Sequence, residues 1–198
     1  MFVFIKKIFY YLATYTYNHD LNLIKTQIDN HYLYITNIDN FLVDILCVAE
    51  DKRFFQHSGF DFWSALSFFY RYIFYNVFSG ASTIDQQLVR TITLDKRISI
   101  TRKIKEIVLS VAINYIFNKN IIAKSYIYFA YYGWHMNGYN QAINRIRLFK
   151  FELPVEFILV SLLKYPLPKN PTIERLNKII YRAKYIQKRL LCIQTNGA

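Results

Sequence analysis

TRKIKEIVLSVAINYIF, residues 101–117, is the stretch from which the fold is read. Ile104, Ile107, Val108, Val111 and Tyr115 recur at three- and four-residue intervals, the period of a helix that buries one face. Thr101 is a reasonable N-cap, because its hydroxyl can accept from an unpaired amide of the first turn.

Outward from this run, helical spacing dominates. Residues 40–49 read as a helix ending close to Glu50, and residues 124–132 as one that Gly133 stops. Residues 154–163 read as a helix with Pro154 in its first turn, ending before Pro166-Leu167-Pro168. Residues 174–191 read as a basic amphipathic helix with Leu176, Ile179, Ile180 and Ile186 turned inward. Few segments have strand character, and five Gly and four Pro leave little turn chemistry. The expected fold class is mostly α, without internal repeats, and the final TNGA should fray.

A chain of 198 residues with 54% hydrophobic residues can bury a core of one ordinary domain. The surplus of Ile, Asn, Lys, Tyr and Phe matches an AT-rich genome and carries no functional signal. The charge is different: 25 basic against 13 acidic residues give +12. That favours a polyanionic partner, nucleic acid or an anionic membrane surface. Cys47 and Cys192 lie far apart and lack metal-ligand spacing; Cys47 sits in an apolar run and reads as a buried thiol.

Two segments bear on membranes. Lys6 and Lys7 interrupt the N-terminal MFVFIKKIFYYLATYTY, so no window reaches the roughly 20 apolar residues of a spanning helix. A signal-like stretch from Ile8 to Ala13 lacks a clean cleavage site; an interfacial helix or a truncated anchor fits as well. Between Phe62 and Ile84 the one charged residue is Arg71, among Trp63, Phe68, Phe69, Tyr70, Tyr72, Phe74, Tyr75 and Phe78. Two readings fit, an aromatic core helix and a surface dipping into a bilayer.

Three clusters carry chemistry. Glu50 to Asp61 gathers acids, bases and His57 in the turn after an apolar helix; a solvated helix end would look the same. Gly80 to Arg90 packs small and amide-bearing residues suited to sugar hydroxyls, or to a capped helix start. The third, Thr101 to Glu106, breaks a local rule, because cations at a helix N-terminus oppose the macrodipole. A bound anion would resolve the conflict; otherwise Arg102 and Glu106 form a solvated pair worth a few tenths of a kcal/mol.

In this order the clusters resemble the peptidoglycan glycosyltransferases (glycosyltransferase family 51), of class A penicillin-binding proteins and monofunctional enzymes. The motif E-D-x-x-F-x-x-H-x-G is matched by Glu50, Asp51, Phe54, His57 and Gly59. G-A-S-T-I-x-Q-Q-L-V-K/R is matched from Gly80 through Arg90, with Asp85 where Thr is common. R-K-x-x-E is matched by Arg102, Lys103 and Glu106. In the fourth, K-x-x-I-L-E-x-Y-L-N, Lys119, Ile122 and Tyr126 fit and Ile127 is a mild change. Lys124 replaces Glu and Tyr128 replaces Asn, while Tyr131 and Gly133 follow as expected. The resemblance runs from about Phe41 to Arg189.

The resemblance implies a mostly α, lysozyme-like glycosyltransferase fold with a head and a smaller, membrane-facing jaw lobe. Residues 1–37 would be an N-terminal segment, membrane-proximal or a truncated anchor; residues 38–194 the glycosyltransferase domain, with the jaw at about 62–79. It implies polymerisation of lipid II into glycan strands, with inversion and release of undecaprenyl pyrophosphate. Glu50 would be the general base toward the acceptor 4-hydroxyl, and Glu106 would stand beside the departing pyrophosphate. Arg90, Lys96, Arg102 and Lys103 would neutralise the leaving group. Asp51, His57, Ser82, Thr83, Gln86 and Gln87 would also contact substrate.

A divalent cation, magnesium or manganese, would sit at Glu106, and no other cofactor is implied. The implied partners are lipid II, the growing strand, a membrane surface and other cell-wall synthesis proteins, with no nucleic acid. The implied location is the periplasmic face of the bacterial cytoplasmic membrane. The alternative is a catalytically impaired relative that binds lipid-linked glycan or serves cell-wall partners. Ser161-Leu162-Leu163-Lys164 matches the transpeptidase S-x-x-K but lies in an apolar helix, without a K-T-G anywhere in the chain, and reads as coincidence.

Overall fold

The computed structural model describes residues 2–76, 82–95, 97–149 and 151–196. The elements are α1 (Phe2–Thr16), α2 (Asn18–Asn30), α3 (Tyr32–Thr36), α4 (Asn40–Glu50), α5 (Phe62–Tyr75), α6 (Ile84–Thr93) and α7 (Ile100–Ile116). They continue as α8 (Lys119–Phe129), β1 (Tyr131–Gly133), β2 (Met136–Asn137), α9 (Tyr139–Ile146), α10 (Val155–Lys164) and α11 (Ile173–Asn196). The expected mostly α class holds. The chain divides into two compact units, Met1–His31 with Arg53–Ile122, and Tyr32–Lys52 with Ala123–Ala198.

The first unit is organised on α7. Its cap is Ser99 rather than Thr101: the Ser99 hydroxyl accepts from the Arg102 amide at 3.1 Å. The expected single stripe is also too narrow. Ile104 is 50% exposed, whereas Val108, Leu109, Val111, Ala112 and Ile113 are all buried, because α1 and α6 both pack against α7. α2 lies against α6 and buries Leu21, Ile24 and Ile28. Lys105 ties the unit's periphery, with Nζ 3.0 Å from Asp20 and 2.7 Å from Asp95.

Gly59 brings the turn after Phe54–Gln56 onto the backbone of α7. At φ +93° it occupies the region that favours glycine, and an added Cβ would lie 2.5 Å from the carbonyl carbon and oxygen of Ser110. This close approach fixes the His57–Gly59 loop against the helix that carries Glu106.

α5 decides between the two readings of its aromatic sequence. Trp63 is 63% exposed and Phe74 67%, with Phe62, Tyr70, Ile73 and Tyr75 similarly open. It is not a core helix. α1 likewise leaves Phe4, Ile8, Tyr11 and Tyr15 exposed while burying Ala13. No described helix is long and apolar enough to cross a membrane.

The second unit packs α4, α10 and α11 together. Leu42, Ile45 and Leu46 of α4, Ile158, Leu159 and Leu162 of α10, and Ile179, Ala183 and Ile186 of α11 are all buried where these helices pack. Asp39 caps α4 by accepting from the Phe41 amide at 2.9 Å. Cys47 is a buried thiol outside any disulfide, as expected. α10 begins at Val155, with Pro154 just outside it, and α11 carries on past Leu191 to Asn196. The Thr195 hydroxyl donates back to the Leu191 carbonyl there.

The expected helix over 124–132 is wrong at its end. α8 stops at Phe129, and Tyr131–Gly133 pairs antiparallel with Met136–Asn137. Gly133 also bridges Leu167, whose amide donates to the Tyr132 carbonyl at 2.9 Å. Backbone pairing with a segment over thirty residues away overrides the local helical pattern.

Candidate active site

α7 carries four charged residues in its first turns, Arg102, Lys103, Lys105 and Glu106, with Arg102 and Glu106 one helical turn apart. Glu106 is only 1% exposed. From α6, Arg90 grips it with Nε 2.8 Å from Oε1 and Nη2 3.2 Å from Oε2. Arg102 Nη1 donates to Oε1, and Lys103 Nζ lies 3.5 Å from Oε2. The pairing is therefore buried and shared by three cations, not a solvated Arg102–Glu106 pair.

Lys103 also donates to Gln86 Oε1 at 2.5 Å and to Ser82 Oγ at 3.1 Å. Arg90 Nη2 reaches the same Ser82 hydroxyl at 3.4 Å. Burial pushes the Glu106 carboxyl up. Hydrogen bonding and charge from Arg90, with charge from Lys103 and Arg102, outweigh this and hold it below the ordinary value. Burial also dominates at Lys103, whose ammonium is pushed down despite Glu106, with Arg90 and Arg102 adding to the effect.

Three cations against one carboxylate leave the cluster strongly positive, suited to an anion. Arg102 Nε, buried and without a partner among the described residues, is one further donor here. The same arrangement does not fit a divalent cation. Both Glu106 oxygens accept from cationic donors, and no second carboxylate joins them among the described residues.

Behind this cluster, Thr83 and Gln86 hold the Gly59 loop. The Thr83 hydroxyl caps α6, accepting from the Gln86 amide at 3.3 Å, and donates to the Gly59 carbonyl at 2.9 Å. Gln86 Nε2 donates to that carbonyl at 3.3 Å. Both side chains are buried and their polar atoms are engaged within the protein. Gln87 is half-buried on the same helix. Lys96, like Gly80 and Ala81 of the second motif, lies outside the described residues.

His57 Nδ1 accepts from the Gly59 amide at 3.2 Å and lies 3.9 Å from Asp85 Oδ2. Asp85 is fully buried. Lys119 Nζ approaches both its oxygens, at 2.9 and 3.0 Å, and Asn114 Nδ2 donates at 2.6 Å. A carboxylate where the family commonly has Thr is thus neutralised by the fourth motif's own Lys119. Sequence reading did not foresee the pair, although a buried acid needs a cation and Lys119 was in plain view.

In the second unit Glu50 ends α4, and Arg182 of α11 closes on it with Nη2 2.5 Å from Oε1 and 3.5 Å from the Ala49 carbonyl. Asp51, the next residue, is buried at the helix C-terminus, its amide bonded to the Cys47 carbonyl at 3.0 Å. Arg182 had not been singled out in the sequence. A basic helix offers many candidates, and which one reaches Glu50 is decided by packing.

A model of the transglycosylase family matches residues 18–191. The chain belongs to the transglycosylase family. Among transglycosylase relatives, a monofunctional glycosyltransferase of Staphylococcus haemolyticus is 31% identical over 67% of this chain and 50% of its own length. Penicillin-binding protein 1A of Rickettsia felis is 32% identical over 61% of this chain and 16% of its own. Penicillin-binding protein 4 of Bacillus subtilis is 29% identical over 90% of this chain and 29% of its own. The chain therefore spans half or less of the length of these relatives.

The transglycosylase departures in the fourth motif have local explanations. Lys124 Nζ donates to the Thr36 carbonyl at 3.2 Å, tying α8 to the end of α3. Tyr128 stacks on Tyr34, with ring centroids 6.4 Å apart. Ser161 is fully buried and its hydroxyl donates to the Phe157 carbonyl at 2.7 Å, so the S-x-x-K match is indeed incidental.

Proposed function

We propose that the chain is a peptidoglycan glycosyltransferase that joins lipid II units into glycan strands. The observation that carries this reading is the buried Glu106 gathered under Arg90, Arg102 and Lys103, at the positions of the family's motifs. The names of the similar bacterial proteins support it.

In this reading Glu50 accepts the proton of the acceptor sugar's 4-hydroxyl, worth roughly a hundred- to ten-thousand-fold in rate. The freed oxygen attacks the donor's anomeric carbon from the face opposite the pyrophosphate, so configuration inverts. The breaking C–O bond leaves its electron pair on undecaprenyl pyrophosphate. Arg90, Arg102 and Lys103 meet that growing charge, with Ser82 as a neutral donor and Lys96 as a further cation on sequence grounds. Glu106 is the counter-ion that holds the three in one place. Asp51, His57 and Gln87 are proposed to support substrate from their motif positions. No step runs through a metal.

The exposed aromatic face of α5, and that of α1 beside Lys6 and Lys7, support attachment to an anionic membrane on its periplasmic side. Co-sedimentation with anionic vesicles should fall for Trp63→Ala/Phe74→Ala; unchanged sedimentation would argue against α5 as the contact.

The deciding assay is polymerisation of labelled lipid II by the native chain, Glu50→Gln and Glu106→Gln. Strands from native protein and none from Glu50→Gln are expected. A folded native chain that makes no strand from lipid II would sink the proposal.

A further inference from the structure

The hairpin of β1 and β2 carries a cluster that has no part in the proposed catalysis. Trp134 stands at its turn, with its amide donating to the Leu167 carbonyl at 2.8 Å. Arg145, in the last turn of α9, places its guanidinium carbon 4.7 Å from the Trp134 ring centroid, and Lys169 Nζ lies 5.3 Å from the same ring. His135 meets that indole edge-on, with ring centroids 3.9 Å apart. All four residues belong to the second unit.

The cations of this cluster have no acid to pair with. Arg145 Nε is buried without a partner, and neither the Arg145 nor the Lys169 side chain forms a hydrogen bond or ion pair among the described residues. Other partly buried cations of the chain do find carboxylates: Arg53 holds Asp61, Lys119 holds Asp85 and Arg182 holds Glu50. The end of α9 favours a cation at Arg145. It does not account for Lys169, which reaches the same ring from another segment. Two like charges over one indole repel, and the attraction of each to the ring offsets only part of that. An oxyanion would relieve the repulsion and give the buried Nε its acceptor.

We propose that this face docks a protein partner through an acidic segment that also bears apolar side chains. Arg145 and Lys169 take the carboxylates, and Trp134 and Leu148 take the apolar groups. Leu148 is 80% exposed and lies beside Arg145, its amide donating to the Arg145 carbonyl at 3.1 Å. A Trp with a neighbouring Arg is the pairing that most often dominates the energetics of protein interfaces.

The occupant follows from charge and exposure. A second copy of this chain is a poor match, because each copy carries +12. A bilayer is a poor match too: Trp134 is 38% exposed and tied to Leu167, whereas Trp63 on α5 is 63% exposed. A lone phosphate would leave the indole and Leu148 uncovered. An acidic segment with apolar side chains satisfies the cations and covers both.

Trp63 and Trp134 are the two tryptophans of the chain, so Trp63→Phe leaves Trp134 as a local fluorescent reporter. The test titrates this variant with a glutamate–leucine repeat peptide, its glutamine–leucine counterpart, inorganic phosphate and phosphatidylglycerol vesicles. A saturable change in Trp134 emission with the glutamate–leucine peptide alone is expected. It should weaken about tenfold when Lys169→Gln or Arg145→Gln is added, and weaken further as salt is raised. Peptide held elsewhere on the chain leaves Trp134 silent, and silence overturns the proposal. An equal response to the glutamine–leucine peptide, or unchanged affinity in Lys169→Gln, overturns it as well. A response to phosphate or vesicles as strong as that to peptide would assign the cluster to phosphate groups and remove the protein partner. Lys169 is exposed, so Lys169→Gln keeps the test intact even where circular dichroism shows Arg145→Gln to be misfolded.

Discussion

Lys119 Nζ sits 2.9 and 3.0 Å from the two carboxylate oxygens of Asp85, in a site where Asp85 has no exposure at all. The pair is 34 residues apart in the chain and underlies the His57 loop. A buried ion pair gains little net stability, but halving one leaves an uncompensated charge.

Lys119→Met should therefore cost about 3–5 kcal/mol in urea unfolding. Adding Asp85→Thr, which restores the residue common in the family, should recover most of that loss. If the double variant is no more stable than Lys119→Met alone, the coupling is not as described.

Glu106 governs acid stability. Burial raises its carboxyl, yet Arg90 chiefly, with Lys103 and Arg102, brings it below the ordinary value. Its stabilising contribution is then complete above the ordinary carboxylate range and is lost as pH falls through the lowered folded-state value. Glu106→Gln should lower Tm by about 6 °C or more at neutral pH. The gap to the native chain should close in strong acid, when the native carboxyl is protonated too. Thermal unfolding across pH reads this directly, and a constant gap would contradict it.

Arg182 should matter through the orientation of Glu50. Arg182→Met is expected to reduce kcat about ten- to a hundredfold, as a misplaced catalytic group does. Arg182→Lys should retain part of the activity, because one donor can still reach Oε1. Turnover of labelled lipid II measures both.

Gly59→Ala should destabilise the first unit by more than about 2 kcal/mol, from a positive φ and a Cβ driven into the Ser110 carbonyl. Denaturant unfolding checks the magnitude. Activity per folded molecule should fall as well, since the His57 loop cannot keep its seat.

Much of this architecture was legible in the residues. The periodicity of residues 101–117 marked α7, and the apolar run after Asn40 led to Glu50 at a helix end. What escaped was of two kinds. Short or equivocal local signals misled: Ser99 and Thr101 are both plausible caps, and a three-residue strand such as Tyr131–Gly133 has no measurable period. Long-range partners were also invisible. Arg182 meets Glu50 across 132 residues, and Thr83 and Gln86 turn toward the Gly59 carbonyl, because tertiary packing aims them. Composition could not tell whether the rings of α5 face core or solvent, since both environments accept Trp and Tyr.

The bond from Ser161 to the Phe157 carbonyl has a pharmacological consequence. A β-lactam reacts by presenting a strained carbonyl to an accessible hydroxyl, and this oxygen is both enclosed and already donating its hydrogen. Penicillin-derived probes should therefore pass over the Ser161–Lys164 segment and leave it unlabelled.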